Sequence, residues 1–162
     1  MFCQPPVLEI PPVLKGTEDD DPNMVFAPHF YDGLTLMTKK WNRVWNVDVL
    51  GVLRGRYWNP AFAIKLGETA IRNCFRDQLS AIQKEGLDNM GEHPCCFTEI
   101  GIPYDMNNQY AYKTGNYSDQ IAAMDANHFA LEGSHAAGFT LWVYVATVSN
   151  SVHPIGITAN NT

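Results

Sequence analysis

Three short runs of apolar, strand-forming residues, at 24–31, 95–100 and 139–145, are set apart by stretches long enough to hold a helix. That alternation restricts the fold more than any other feature of the chain. Strands this apolar need cover on both faces, and a strand–helix–strand rhythm is how a parallel sheet obtains it. Between the first two runs, Ile71, Cys74, Phe75, Gln78, Leu79 and Ile82 recur at the helical period. They predict a helix from 61 to about 85, closed by Gly86 and the Asn89-Met90-Gly91 turn. Between the second and third runs, Ser118-Asp119 predicts a capped start, with Ile121, Met124 and Leu131 as the apolar members of a helix reaching Gly133. A shorter helix is predicted over 34–46, carrying Leu36, Trp41 and Trp45. The expected class is α/β. Three strands make half a barrel or a sheet with two open edges, which is a poor whole protein.

The flanks read differently. Residues 1–23 hold five of the ten prolines and the acidic run Glu18-Asp19-Asp20-Asp21, and are expected to be an irregular, exposed lead-in. Residues 147–162 form a polar tail. With 46% apolar residues the chain can fill a core, while a net charge of −6 argues against nucleic acid, which needs a basic face. The cations are scattered, with Lys39-Lys40 the only adjacent pair. The longest apolar-rich run, 138–148, is about half of what a membrane-spanning helix requires. The start shows no basic segment followed by an apolar one, and four cysteines make no disulfide framework, so a reducing, cytoplasmic setting is expected. Cys95 and Cys96 lack a second pair at zinc spacing and read as packing residues, so neither metal nor cofactor is expected.

In parallel α/β folds the chemistry gathers at the C-terminal ends of the strands. The first run leads into Pro28-His29-Phe30-Tyr31-Asp32-Gly33, the second into Thr98-Glu99-Ile100-Gly101-Ile102-Pro103, and the third carries Leu141-Trp142-Val143-Tyr144. His-x-Tyr, then a glutamate followed by small and apolar residues, then a tryptophan, in that order, resembles the active site of glycoside hydrolase family 5. The longer matches, residues 27–32, 98–107 and 138–144, are similar to its fungal branch of steryl β-glucosidases and glucosylceramidases, related to endoglycoceramidase. The resemblance implies a (β/α)₈ barrel, of which residues 24–146 would be about the last three βα units, the sixth to eighth strands. It implies a retaining mechanism with two carboxylates and a glycoside or glycolipid substrate. By matched position Glu99 is the catalytic nucleophile. Tyr31 hydrogen-bonds Glu99 or the sugar, His29 hydrogen-bonds near the reacting centre, and Trp142 stacks under the glucose ring.

Two features depart from that pattern. Tyr31 and Glu99 are 68 residues apart, against roughly 30 in an average barrel unit, so an insertion is expected at about 34–60. Its Trp41, Trp45, Tyr57 and Trp58 either pack it onto the barrel or form an apolar rim for a lipid aglycone. The family's acid/base is a glutamate after an asparagine on the fourth strand, and this chain contains no Asn-Glu dipeptide. The other acids considered, Asp32, Asp105, Asp125 and Glu132, match no such position. Two functions stay open: part of a complete glycosidase, or a non-catalytic remnant that at most binds sugar or lipid. For the chain alone, exposed barrel edges imply self-association.

Overall fold

A computed structural model describes residues 1–145 and 157–158. The chain begins with β1 (Phe2–Cys3), β2 (Val25–Phe26), β3 (His29–Tyr31) and α1 (Gly33–Thr38). It continues through β4 (Trp45–Val47), α2 (Val49–Leu53), a 3₁₀ turn (Pro60–Ala63) and β5 (Ile64–Leu66). The long helix α3 (Glu68–Asn89), β6 (Cys96–Gly101), α4 (Met106–Thr114), α5 (Ser118–Ser134) and β7 (Gly138–Leu141) follow. A last pair, β8 (Tyr144–Val145) and β9 (Ile157–Thr158), runs parallel. The expected tail at 147–162 otherwise lies outside the described residues.

β3, β6 and β7 form a parallel sheet in chain order. A parallel bridge from Phe26 to Cys95 makes β2 the upstream end of the same row as β3, and β1 pairs parallel with β2. The row therefore holds a fourth strand position. The lead-in is less irregular than its prolines suggest, because Phe2 and Cys3 supply that position and the rest is pinned. Leu14 and Lys15 donate backbone N–H groups to the Asn89 carbonyl, and His93 Nε2 lies 2.9 Å from Asp20 Oδ1.

The crossovers α3 and α5 pack against each other, so both lie on one side of the sheet. Arg72 of α3 pairs with Asp125 of α5 and covers the Phe129 ring at 4.7 Å. Crossovers that fall on one side of parallel strands in chain order wind the sheet in a single direction. Phe30, Phe75, Leu79, Phe97, Ile100 and Ala126 fill the layer between sheet and helices.

Four predicted boundaries move, each for a local reason. The helix expected over 34–46 ends at Thr38, where Lys39 adopts a left-handed conformation (φ 51°). The Asn42 side chain then accepts from the Val44 and Trp45 N–H groups and starts β4, which pairs antiparallel with β5. The helix expected from 61 begins at Glu68, because Asn59-Pro60 forms a 3₁₀ turn, residues 64–66 are extended, and Gly67 takes φ 82°. Gly86 does not stop α3; it lies inside it because the Phe26 ring occupies the space a methyl group would need. The third run is strand only to Leu141, and a turn at Trp142-Val143 separates β7 from β8. Ser118 is the first residue of α5 and makes no side-chain cap.

Candidate active site

β6 brings its glutamate to the site by breaking its own alternation. Phe97 and Ile100 are three apart, so strict period-two alternation would put them on opposite faces, yet both join one core cluster and their partners on β7, Phe139 and Leu141, are two apart. The pairing of β6 with β7 slips between these two residues. Such a bulge re-aims side chains, and here it leaves Thr98 and Glu99 partly exposed between two core residues.

β3 supplies the partners. His29 is in register with Glu99 and Tyr31 with Gly101, so both side chains arrive beside the carboxylate. The Tyr31 hydroxyl donates to Glu99 Oε2 at 2.8 Å, and His29 Nδ1 lies 3.2 Å from the same oxygen. Glu99 Oε1 accepts no hydrogen bond among the described residues. Burial, reinforced by Glu99, raises the Tyr31 pKa, so the phenol keeps the proton it donates. Gln4, just past β1, places Nε2 at 3.4 Å from His29 Nδ1. Gln4 is not among the site residues that the sequence predicts. A short apolar pair followed by a polar residue, Phe2-Cys3-Gln4, was its one available signal.

Trp142 follows β7 directly, and its backbone N–H donates to the Ile100 carbonyl at 3.0 Å. Its side chain is 45% exposed. The approach depends on Gly101, where a methyl group would collide with the Trp142 carbonyl oxygen. Strand pairing thus brings His29, Tyr31 and Glu99 into one cluster and sets Trp142 at the neighbouring strand end.

The other acids have different employment. Asp32 is buried, caps α1 through the Leu34 and Thr35 N–H groups, and also accepts from the Thr35 hydroxyl and Asn46. Burial raises its pKa against those bonds. Asp105 pairs with Lys39 Nζ at 2.6 Å, Asp125 pairs with Arg72, and Glu132 stands exposed on α5. The insertion's aromatics divide. Trp41 is in the core against Phe75, and Tyr57 donates to Asp48 at 2.8 Å, whereas Trp45 and Trp58 face outward. Among the described residues no three His, Cys, Asp or Glu side chains gather to hold a metal ion. No helix among them is long and apolar enough to cross a membrane. Cys95 packs in the interior, its thiol pushed up to about 12 by burial and by neighbouring Cys96.

A carboxylate held by a tyrosine and a histidine at the C-terminal edge of a parallel α/β sheet is the arrangement to set beside known proteins. No family model matches the chain. It is 68% identical over 151 residues to a glucosylceramidase of Aspergillus fumigatus and 49% identical over 151 residues to the ergosteryl-β-glucosidase of Saccharomyces cerevisiae. Each match covers 93% of this chain and 20% of the relative, so the chain spans about a fifth of the length of these curated relatives. The backbone superimposes on the crystal structure of Cryptococcus neoformans sterylglucosidase 1 with a TM-score of 0.81 at 38% identity. That match covers 90% of this chain and 21% of the other. The fold is accordingly the α/β fold of one part of that sterylglucosidase.

Proposed function

We propose that this chain is the nucleophile-bearing part of a retaining β-glucosidase of glycoside hydrolase family 5, acting on a glucosylated lipid, a steryl glucoside or glucosylceramide. Its parallel row would be about the sixth to eighth strands of a (β/α)₈ barrel. One observation carries the reading: Oε2 of Glu99 takes both the Tyr31 and the His29 contacts, at 2.8 and 3.2 Å, and leaves Oε1 unengaged. The names of the relatives support the substrate class.

In this mechanism Oε1 attacks the anomeric carbon while the bond to the aglycone oxygen breaks. An acid/base carboxylate from another part of the polypeptide protonates that oxygen. The same group then deprotonates a water that displaces Glu99. Tyr31 and His29 fix the carboxylate so that attack needs little reorientation. Trp142, exposed at the same rim, is the platform for the apolar face of the glucose ring.

Azide rescue of Glu99→Ala in the full-length protein tests the assignment. With an activated glucoside, azide fills the vacated space, attacks opposite the leaving group, and gives a glycosyl azide of inverted configuration. A rescued product that keeps the β configuration makes Glu99 the acid/base instead.

A further inference from the structure

The β4–β5 ribbon is turned inside out. In its register Trp45 faces Leu66 and Val47 faces Ile64 on one side, while Asn46 faces Lys65 on the other. The polar side is the inner one. Asn46 is 1% exposed and bonds both oxygens of Asp32, and Lys65 Nζ lies 3.1 Å from the Tyr57 hydroxyl. The apolar side points out, with Leu66 72% exposed and Trp45 and Ile64 also open. Close by in sequence, Trp58 (85% exposed) and Phe62 stack with ring centroids 4.9 Å apart, outside the core. Exposed apolar surface of this extent on a folded chain marks a contact with something else.

The charge around it says what. Residues 33–67 contain six of the eleven Lys and Arg residues and one of the seventeen acids. That acid, Asp48, is buried and bonded to the Gly51 N–H and the Tyr57 hydroxyl. Arg54 is neutralised by Glu85 and Lys39 by Asp105, but the exposed side chains of Lys40, Arg43 and Arg56 form no ion pair among the described residues. Lys40 also shares a cavity of about 460 Å³ with Lys113, on the segment that follows β6. In a chain of net charge −6 the cations are thus concentrated beside outward-facing aromatic and aliphatic groups. Apolar groups that enter the acyl boundary, flanked by cations at headgroup level, are what an anionic lipid surface binds.

We propose that residues 33–67 form a docking ribbon for an anionic lipid bilayer. Asn46 ties the ribbon to Asp32, the residue next to Tyr31, so docking would hold the Glu99 site close to the bilayer surface. Membrane binding requires no turnover, so it stands or falls apart from the glycosidase reading. The test is co-sedimentation of the full-length protein with phosphatidylcholine vesicles, with and without about a third of phosphatidylserine. Binding to the anionic vesicles, weakened by salt, is expected. The triple variant Lys40→Gln/Arg43→Gln/Arg56→Gln, at exposed unpaired sites, should lose about a hundredfold in partition, about fivefold per cation from roughly 1 kcal/mol each. Trp58→Ala/Phe62→Ala should lose binding about tenfold with an unchanged melting temperature. No co-sedimentation of the wild type at low salt overturns the proposal and assigns the ribbon's outer face to another part of the same polypeptide. Binding unaffected by the triple variant overturns it equally.

Discussion

Tyr31 hangs its proton on Oε2 of Glu99, which in the proposed mechanism is not the attacking oxygen, so its loss should loosen the carboxylate without emptying the proposed sugar site. Removing a hydrogen bond to a charged group costs about 1.5–3 kcal/mol. Tyr31→Phe in the full-length protein should therefore lower kcat by about 10- to 100-fold with KM little changed. A KM effect alone would place Tyr31 in substrate binding. Burial pushes the Cys74 thiol from its ordinary 9.0 up to about 11. The folded chain then keeps a proton that the unfolded chain releases above pH 9. Its contribution to stability is full below pH 9 and is lost between 9 and 11, at up to about 1.4 kcal/mol per pH unit. Urea midpoints measured at pH 8 and pH 10.5 should differ less in Cys74→Ala than in the wild type. His29, Tyr31 and Glu99 were legible in the sequence because each ends an apolar run. Gln4 was not, since one apolar pair in a proline-rich stretch is too weak a signal that Phe2 and Cys3 pair with a strand more than twenty residues away.

At the scale of elements, two glycines carry packing that periodicity alone misassigns. Gly86 looks like a helix stop but admits the Phe26 ring against α3. Gly86→Ala gains helix propensity and loses more to overpacking, for a net destabilisation of about 1–3 kcal/mol, read from the denaturation midpoint. Gly101→Ala should push the Trp142 backbone off β6 and raise KM for a glucoside more than it lowers kcat. An unchanged KM would remove Trp142 from the sugar site. The apolar strands and the α3 stripe could be read from residue spacing because tertiary burial repeats it along the chain. The ribbon could not. Its strands are three residues long, and the spacing of Leu36, Trp41 and Trp45 suits a helix as well as it suits two unrelated segments.

For the whole molecule, the deciding fact is a site with one engaged carboxylate. Asp32 is capping, while Asp105 and Asp125 are ion-paired. The 162-residue chain expressed alone should leave a chromogenic β-glucoside at the background rate, because double displacement needs a second carboxyl group. Turnover that vanishes in Glu99→Gln would show that one of these acids substitutes. Expressed alone, it should also self-associate through the outer edges of β1 and β7, visible as mass above the monomer in light scattering.

The slip between Phe97 and Ile100 also bears on how relatives of this chain are to be aligned. One residue fewer between that phenylalanine and that isoleucine would restore even alternation. A single residue would then stand on the site side between them, so such a chain could keep the threonine or the glutamate there, but not both. A homologue with a single-position gap between these two residues should be aligned on the glutamate and not on the threonine, and one that lacks the glutamate as well has lost this carboxylate, however high its overall identity.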